Sequence, residues 1–215
     1  MSELIRKLIP IVGDENVLTK LEDQTKYVTD WPGEKTGTAQ AVVRPVTTSE
    51  ISKIMQLAFK TGTPVVPQSG NTGVAGGSIP DQSGKSILLS LERMNRIREI
   101  SPSARTIVAE AGCILDTVHR TVEEIGLFFP LTFGARGSCM IGGNLATNAG
   151  GSNVVKYGNT RDLCLGIEAV LPDGEVLHLL SGLHKNNTGY DIRNLLIGSE
   201  GTLGVITAAT LKLYP

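Results

Sequence analysis

The sequence predicts an α+β fold in two subdomains, residues 1–90 and 91–215, that together form one domain. In the first subdomain, two short apolar runs flank an amphipathic helical run, which is the β-α-β pattern of a parallel sheet. In the second, the apolar runs Leu163–Leu171 and Glu175–Leu180 are joined by Pro-Asp-Gly, which predicts an antiparallel hairpin. Both kinds of sheet are therefore expected in this chain.

The first subdomain is expected to contain two helices and three strands. Ser2 precedes an amphipathic run that Pro10 is expected to end, and Thr47 with Glu50 forms a capping box at the start of the second helix. Residues 23–38 are polar, and we expect a long ordered arm there. The predicted second helix and the strands around it are Ala41–Val43, Glu50–Lys60, Pro64–Pro67 and Ser86–Ser90.

The second subdomain is expected to contain helices among several extended segments. Apolar residues recur at helical spacing from Ile114 to Ile125, and Gly126 follows as a C-terminal stop. A second, shorter helix is predicted at Ile141–Asn148. The extended segments are predicted at Arg93–Ile100, at Arg105–Ala111, in the two strands of the hairpin and in a last strand that ends near Pro215.

Composition limits the classes of partner and chemistry. The chain of 215 residues is 40% hydrophobic and carries 20 basic and 21 acidic residues, without a basic run. We therefore expect neither nucleic acid nor an anionic membrane as a partner. The three cysteines are far apart in the sequence, which argues against a disulfide framework or a metal site. The first residues predict neither a secretory signal nor a membrane span, and the expected location is the cytoplasm.

The stretch Pro67–Pro80 combines four glycines with small hydroxyl residues and carries no charge. Glycine permits positive φ and lets a ligand approach the main chain, so successive N–H groups can converge on an anion. The stretch is therefore predicted to bind a phosphate. Taken alone, it fits a tight βα connection or a flexible linker equally well.

Two further stretches, Gly134–Ser152 and Ile197–Ile206, are also rich in glycine. The short helix in the first of them would direct its N-terminus at the loop, which would give a second anion site. Three separate clusters suit an extended ligand that carries a diphosphate, so we expect a dinucleotide rather than a mononucleotide. The glycine spacing fits neither the Rossmann motif nor the Walker A motif, which indicates another topology.

Four motifs carry a resemblance to a known family. They are Val65-Val-Pro-Gln-Ser-Gly-Asn-Thr-Gly73, Gly137-Ser-Cys-Met-Ile-Gly-Gly-Asn-Leu-Ala-Thr-Asn-Ala-Gly-Gly151, Lys185-Asn-Asn-Thr-Gly-Tyr-Asp191 and Ile197–Ile206. Together they resemble the FAD-binding domain of the vanillyl-alcohol oxidase and p-cresol methylhydroxylase (PCMH) superfamily. Within it, the chain is most similar to the D-2-hydroxyacid dehydrogenases, which include D-2-hydroxyglutarate dehydrogenase, D-lactate dehydrogenase and the glycolate oxidase catalytic subunit. The resemblance implies a PCMH-type fold whose two subdomains clasp FAD.

The resemblance also implies roles for particular residues. The first stretch would hold the pyrophosphate through main-chain N–H groups and the Thr72 hydroxyl, the second would line the ribityl chain and the flavin, and the third would lie near the ribose and adenine. The implied cofactor-binding residues are Pro67, Ser69, Gly70, Asn71, Thr72, Gly73, Ser78, Gly137, Ser138, Gly142, Gly143, Asn144, Thr147, Asn148, Glu200, Gly201, Gly204 and Ile206. Some relatives attach the flavin through a histidine in the first stretch. Because Asn71 is in the matching position, non-covalent binding is expected.

The resemblance implies the FAD-binding portion of a flavin-dependent D-2-hydroxyacid dehydrogenase, in which hydride passes from the substrate to flavin N5. The electron acceptor would be a quinone, a cytochrome or an electron-transfer flavoprotein. Relatives continue into a substrate-binding cap that carries catalytic and metal-binding residues, and this sequence has no counterpart of it. We therefore expect a chain that binds FAD and is inactive alone, with an exposed apolar patch that favours self-association. The alternatives are a non-catalytic FAD-binding subunit that works with a separate substrate-binding chain, and a chain that does not retain FAD.

No residue of the chain is predicted to be catalytic. The three histidines are interpreted as packing or surface residues rather than general bases, because His119 lies beside an apolar helical stripe, His178 in a predicted strand and His184 in a polar loop. Cys139 is interpreted as a small packing residue near the flavin, since no histidine is paired with it. For Arg136, contact with an anionic substrate and contact with the phosphates are left as equal alternatives.

Overall fold

The computed structural model describes residues 2–215, within which nine strands and eight helices are arranged around two sheets. The strands are β1 (Val17–Leu18), β2 (Ala41–Val43), β3 (Val65–Gln68), β4 (Ile87–Ser90), β5 (Ile97–Ser101), β6 (Thr106–Glu110), β7 (Cys164–Val170), β8 (Val176–Leu179) and β9 (Val205–Lys212). The helices are α1 (Glu3–Val12), α2 (Leu21–Val28), α3 (Thr48–Thr61), α4 (Leu115–Glu123), α5 (Ile141–Ala146), α6 (Val154–Tyr157), α7 (Thr160–Leu163) and α8 (Ile192–Leu196).

The first sheet has the strand order β1-β2-β4-β3, and β2, β4 and β3 are parallel to one another. Helix α3 connects β2 to β3 and is capped by Thr47, whose side chain accepts a hydrogen bond from the Glu50 N–H. The predicted β-α-β unit is therefore confirmed, with β4 inserted between its two strands. The parallel strands end at the edge where the glycine-rich stretch Pro67–Pro80 begins, which is the edge that binds ligands in such sheets.

The second sheet has the order β5-β6-β9-β7-β8, and every neighbouring pair in it is antiparallel. The predicted hairpin is β7 and β8, paired from Ile167 opposite Leu179 to Val170 opposite Val176. Gly174 adopts a φ of 90° in the turn between them, where an L side chain would be strained. The fold therefore combines one mostly parallel and one antiparallel sheet, as the sequence predicts.

The two sheets share part of their hydrophobic core. Val170 and Val205 belong to strands of the second sheet, yet they pack in one buried cluster with Ile54 of α3 and Leu89 of β4. A separate buried cluster lies between the second sheet and helices α4 and α5. The strands of the first sheet all precede Leu91 and those of the second all follow it, but the division into subdomains at that residue stays a prediction.

Three local features differ from the sequence-based expectations. Helix α1 continues past Pro10 to Val12, because Val12 is buried in the core and Gly13 caps the helix through its N–H to the Ile9 carbonyl. The arm expected at residues 23–38 begins as helix α2, which buries Tyr27 in a small cluster of its own. The short helices α6, α7 and α8 were not predicted, because each has only four or five residues and too few positions to show a helical period.

Across residues 2–215, no helix combines the length and the apolar character that are needed to cross a lipid bilayer.

Candidate functional site

A cleft of about 280 Å³ lies where the three glycine-rich stretches meet, between the ends of the parallel strands and the second sheet. All but three of the predicted cofactor-binding residues line this cleft. The lining ones are Pro67, Ser69, Gly70, Asn71, Thr72, Gly73, Ser78, Gly142, Gly143, Asn144, Thr147, Glu200, Gly201, Gly204 and Ile206. Gly137, Ser138 and Asn148 lie outside it. The structure thus brings the three stretches together, as a single extended ligand requires.

The loop after β3 presents free main-chain donors to the cleft. Among the hydrogen bonds of residues 2–215, none is donated by the N–H groups of Gly70, Asn71, Thr72 or Gly73, or by the Thr72 hydroxyl. Asn71 adopts the left-handed conformation, with a φ of 50°. A left-handed residue within such a run turns successive N–H groups toward one side, which is the geometry of an anion-binding nest. The loop can therefore receive a phosphate group.

The polar arm holds this loop from behind. The Gln68 side chain donates to the carbonyl oxygens of Tyr27 at 2.7 Å and Ser78 at 3.0 Å. The Asn71 amide donates to the carbonyl of Thr29 at 2.8 Å and accepts from the Ser78 hydroxyl at 2.9 Å. Both ends of the Asn71 side chain are therefore used within the protein, so its contribution to a ligand comes from the main chain. These bonds also give residues 23–38 a role as the support of the loop.

Gly70 allows the first and second stretches to touch. A Cβ atom at this position would lie 2.4 Å from the carbonyl oxygen of Ser138 and 2.9 Å from Cys139 Cα. Both distances are far below van der Waals contact, so only glycine fits here. Gly137 and Ser138 themselves lie in the exposed turn behind this contact, and they support the cleft without lining it.

The N-terminus of helix α5 is less available to an anion than the sequence predicts. The N–H of Ile141 donates to the Cys113 carbonyl at 2.9 Å, and the N–H of Gly142 donates to the Ala111 carbonyl at 2.8 Å. These two bonds fix α5 against the end of β6 and occupy donors that an anion would need. Two of the first three N–H groups of α5 are therefore occupied, whereas that of Gly143, which lines the cleft, donates to no acceptor among residues 2–215; the second anion site stays a prediction.

The third stretch is attached to the second by main-chain hydrogen bonds. The N–H groups of Gly198 and Glu200 donate to the carbonyls of Leu145 at 3.0 Å and Ala146 at 2.9 Å. Glu200 has a φ of 51°, and its carboxylate lies across the cleft near Gly77, at 3.2 Å from the position of a Cβ built there. The third stretch is therefore bonded to the second stretch and adjoins the loop Pro67–Pro80, so that it forms part of the cleft wall beside both.

Asn144 places an unpaired donor in the cleft. Asn144 is 4% exposed and lines the cleft, and its Nδ2 atom is buried without a hydrogen-bonded oxygen or nitrogen among the described residues; the Cys139 thiol, a weak acceptor, lies beside this amide. A buried amide N–H that lacks a partner costs about 1–3 kcal/mol, so such groups usually serve a ligand or a water. The acceptor atoms of a flavin ring or ribityl chain match this donor. Asn148, in contrast, accepts a hydrogen bond from the Arg161 N–H at 3.0 Å and is structural.

The titratable side chains in the described lining are those of Cys139 and Glu200. Cys139 is 2% exposed, and burial raises the pKa of its thiol. A neutral thiol is a small apolar group, in agreement with the interpretation of Cys139 as a packing residue.

The other side chains considered for chemistry lie outside the lining. His119 Nε2 contacts the Leu131 carbonyl at 2.8 Å, and His184 Nε2 contacts the Ala104 carbonyl at 2.8 Å. His178 lies on the exposed strand β8. Arg136 is exposed and faces Asp116, with 3.6 Å between Nε and Oδ1. Neither of the two contacts predicted for Arg136 is supported, because its guanidinium group pairs with Asp116 on the surface, outside the cleft lining.

Several lining residues are not among the individually predicted cofactor-binding residues. Gln68, Ala75, Gly76, Gly77, Met140, Ala146, Ala149, Ser199 and Val205 lie within or beside the predicted stretches. Treating each stretch as continuous would have identified them. Leu91, Phe133 and Leu196 come from outside the glycine motifs, and no local pattern marks them, since the tertiary fold alone brings these apolar side chains to the cleft.

The residues present fit FAD. The free N–H groups of the loop suit a pyrophosphate, the unpaired Nδ2 of Asn144 suits a polar edge of the isoalloxazine or ribityl group, and the small and apolar residues between them leave room for flat rings. Space is open at Gly73, where a Cβ would have no neighbour within 4 Å.

Comparisons with known proteins agree with this geometry. A family model described as FAD binding domain matches residues 39–180, which is more than half of the chain. The chain is 45% identical over 201 residues to D-2-hydroxyglutarate dehydrogenase, mitochondrial, of Bos taurus, covering 93% of this chain and 36% of that protein. It is 43% identical over 195 residues to D-2-hydroxyglutarate dehydrogenase of Xanthomonas citri pv. viticola, covering 91% of this chain and 41% of that protein. The chain thus spans less than half of the length of these relatives.

Solved structures show the same fold. An alkyldihydroxyacetonephosphate synthase matches 99% of this chain and 40% of its own length, with a TM-score of 0.87 and 22% identity. A p-cresol methylhydroxylase with substrate bound matches 99% of this chain and 43% of its own, with a TM-score of 0.81 and 23% identity. The predicted α+β fold of the PCMH type is confirmed, and so is FAD as the cofactor. The chain belongs to the family of FAD binding domains.

Proposed function

We propose that this chain is the FAD-binding portion of a flavin-dependent dehydrogenase that acts on a D-2-hydroxyacid. The proposal is supported by one observation above all: the three stretches that line the cleft occur in a chain 45% identical to a protein named for D-2-hydroxyglutarate oxidation. Because the chain spans 36% of that relative, the activity of the whole enzyme stays a proposal.

The residues of the chain would hold and orient the cofactor. The N–H groups of Gly70–Gly73 would bind the pyrophosphate, and Asn144 Nδ2 would donate to a buried acceptor of the flavin portion. FAD, when bound, supplies the two-electron acceptor that oxidation of a hydroxyl-bearing carbon requires. Burial of the apolar lining would exclude water from the rings.

The cleft offers no evident base for the substrate hydroxyl. Cys139 is held neutral by burial, and Glu200 lies on the wall formed by the third stretch, where the resemblance implies the adenosine end of the cofactor. A general base must reach the proton that it removes. We therefore propose that the chain binds FAD but does not oxidise a hydroxyacid alone, with substrate recognition supplied by protein outside residues 1–215.

The second candidate is a non-catalytic FAD-binding subunit that works with a separate substrate-binding chain. The observation that favours it is the same lack of a base in the lining. Co-purification of a second polypeptide that restores hydroxyacid oxidation would support this candidate. Activity restored only by extending the same chain would support the dehydrogenase portion.

An absorption spectrum and turnover assays test the proposal. The purified chain mixed with FAD and passed through a desalting column should retain a flavin spectrum. It should reduce no artificial acceptor with D-lactate, D-2-hydroxyglutarate or glycolate. Loss of all flavin on the column would contradict the cofactor assignment, whereas rapid oxidation of any of the three acids would contradict the proposed inactivity.

The bound flavin is proposed to be non-covalent. Asn71 offers no nucleophilic ring nitrogen, and its amide is engaged by Thr29 and Ser78. Acid precipitation of the FAD-loaded chain should therefore release all flavin into the supernatant. A yellow pellet would show that the attachment is covalent.

Two further proposals concern the whole protein. The electron acceptor is proposed to be a quinone, a cytochrome or an electron-transfer flavoprotein, and the location is proposed to be the cytoplasm.

A further inference from the structure

Arg161 lies outside the cleft and forms hydrogen bonds to two of the three glycine-rich stretches that line it. It is absent from the cleft lining, yet its main-chain N–H donates to Asn148 Oδ1 at 3.0 Å. Its guanidinium group donates from Nη1 to the Asn194 carbonyl and from Nη2 to the Ile197 carbonyl, both at 2.6 Å. Asn148 lies in the turn that follows α5 in the second glycine-rich stretch, and Ile197 begins the third. One residue therefore bonds both stretches.

The carbonyls that Arg161 binds lie at the end of helix α8. The last carbonyls of a helix have no partner within it, and a cation beside them is favourable. Here two nitrogens of the planar Arg161 guanidinium group each donate a hydrogen bond to one carbonyl, and these bonds fix the residue at which α8 ends. The next residue, Gly198, turns with a φ of 84° and leads into Glu200 and Gly201 of the cleft wall.

The position of Arg161 is itself fixed. Thr160 is 1% exposed and binds the Ala149 carbonyl twice, through its N–H at 3.0 Å and its hydroxyl at 2.6 Å. Helix α7, which carries Arg161, begins with a capping box. In it the side chains of Asn159 and Asp162 each accept a hydrogen bond from the main-chain N–H of the other residue. Ala149 lines the cleft, so the backbone that carries Arg161 is attached to the second stretch while its side chain holds the third.

We propose that Arg161 is a positioning residue for FAD: it sets the distance between the second and third stretches, and hence the width of the cleft that the cofactor occupies. The proposal rests on FAD binding by this cleft. A lysine keeps the charge but not the planar fork, so Arg161→Lys should leave the fold in place and release the end of α8. At metal sites, loss of such an indirect support typically weakens metal affinity or activity by about 10–100-fold, and we expect a loss of FAD affinity of similar size here.

Arg193→Lys is the matched control. Arg193 lies on α8 itself, and its side chain binds Asp191 at 2.6 Å and also donates to the Cys164 carbonyl. Unlike the side chain of Arg161, it bonds no residue of the second or third glycine-rich stretch. Both substitutions remove a guanidinium that holds α8, one at each end. A purely structural role would make the two variants alike.

The experiment measures two quantities for the wild-type chain and both variants. They are the Kd for FAD, from flavin fluorescence quenching, and the Tm of the FAD-free chain. We expect similar decreases in Tm, a Kd at least about 10-fold weaker for Arg161→Lys, and a Kd within about twofold of wild type for Arg193→Lys. In addition, millimolar guanidinium should restore part of the affinity of Arg161→Ala and none of that of Arg193→Ala.

Each other outcome overturns the proposal. An unchanged Kd for Arg161→Lys would show that Arg161 does not set the cleft, and an equal loss in both lysine variants would reduce its role to stabilising α8. If Arg161→Lys does not fold, absence of rescue in Arg161→Ala would count against the proposal. A wild-type chain that binds no FAD would instead refute the proposed function, and the positioning role with it.

Discussion

At the scale of single residues, the cleft depends on positions where a side chain is absent or unpaired. Gly70 is the clearest case of absence, because any Cβ there would collide with the backbone of Ser138 and Cys139. Asn144 is the clearest case of an unpaired group. The two positions lead to opposite predictions for the stability of the FAD-free chain.

Gly70→Ala should weaken both stability and FAD binding. The added methyl group would force the loop away from the second stretch, and overpacking of this kind costs about 1–3 kcal/mol. Chemical denaturation and FAD titration would measure the two effects. Gly73→Ala is the control, since its Cβ would meet no atom within 4 Å and should leave the denaturation midpoint unchanged. Equal midpoints for both alanine variants would contradict the close contact at Gly70.

Asn144→Leu should stabilise the FAD-free chain while weakening FAD binding. Replacing a buried unpaired amide by an apolar side chain of similar size removes a desolvation cost of about 1–3 kcal/mol. The same substitution removes the donor offered to the cofactor. A Tm that rises without FAD, together with a weaker Kd for FAD, is the expected pair of results. A lower Tm without FAD would mean that the Asn144 amide has a partner within the protein.

Sequence reasoning reached most of these residues but not their individual roles. Asn144 and Asn148 have the same side chain, and nothing local distinguishes the one that is unpaired in the cleft from the one that binds Arg161. Gln68 is a similar case: its importance depends on the carbonyls of Tyr27 and Ser78, which the fold brings to it. Side-chain partners across long separations cannot be derived from spacing alone.

At the scale of elements, an ionic network joins helix α3 to the second sheet. Glu168 on β7 accepts hydrogen bonds from Arg98 on β5 at 3.0 Å, from Thr48 at the start of α3 at 2.6 Å and from Thr207 on β9 at 2.7 Å. Glu110, fully buried on β6, binds Arg98 at 3.1 Å. The network therefore connects elements that precede and follow Leu91.

Glu168→Gln should destabilise the fold at neutral pH and have little effect in acid. Burial alone would raise the pKa of Glu168, but the hydrogen bonds from Arg98, Thr48 and Thr207 outweigh it and hold the pKa below the ordinary 4.5. A carboxylate with a lowered folded-state pKa contributes stability above its unfolded pKa and loses it as the pH falls through the folded value. Breaking such a buried pair costs about 3 kcal/mol.

Urea denaturation from pH 7 to pH 3 would test this prediction. The difference in free energy of unfolding between the wild type and Glu168→Gln should be largest above pH 4.5 and should shrink below it. Glu99→Gln is the control, because Glu99 is exposed on β5. A difference that does not vary with pH would show that the charge of Glu168 is not what stabilises the network.

The elements were predictable where several local signals agree. Helix α3 has a capping residue, one apolar face and a glycine stop, and the β7–β8 hairpin has its turn sequence, so both were identified. Helix α2 has no side-chain cap, and its Leu21 is 77% exposed, so its pattern is weak and tertiary contacts decide it.

At the scale of the whole molecule, one face is expected to associate. Leu179, Leu183, Tyr190 and Ile192 are exposed and line a common depression beside β8, and Tyr190 is 95% exposed. Large exposed apolar groups that lie together mark interaction surfaces. We therefore expect the chain to self-associate as its concentration rises, because pairing would bury these side chains.

Sedimentation velocity at increasing concentration tests the association. The average sedimentation coefficient of the wild type should increase, and that of Tyr190→Ser should increase less. Leu21→Ser is the control, since Leu21 on α2 is also largely exposed, at 77%, but lies outside the depression. A single monomeric species at all concentrations would contradict the prediction, and an equal effect of both serine variants would place the contact elsewhere.

The shared core has a consequence for how FAD enters. Buried Val170 and Val205 pack with Leu89, and Ser52 of α3 donates to the Gly174 carbonyl at 2.6 Å, so the two sheets are joined by a core that reaches the cleft at Val205. A hinge between them would have to break this apolar contact. We therefore expect the two walls of the cleft to keep their relative positions, so that the cleft has the same shape with and without FAD. Association of FAD should then be a single step whose observed rate rises linearly with FAD concentration, without the plateau that a closing motion would impose.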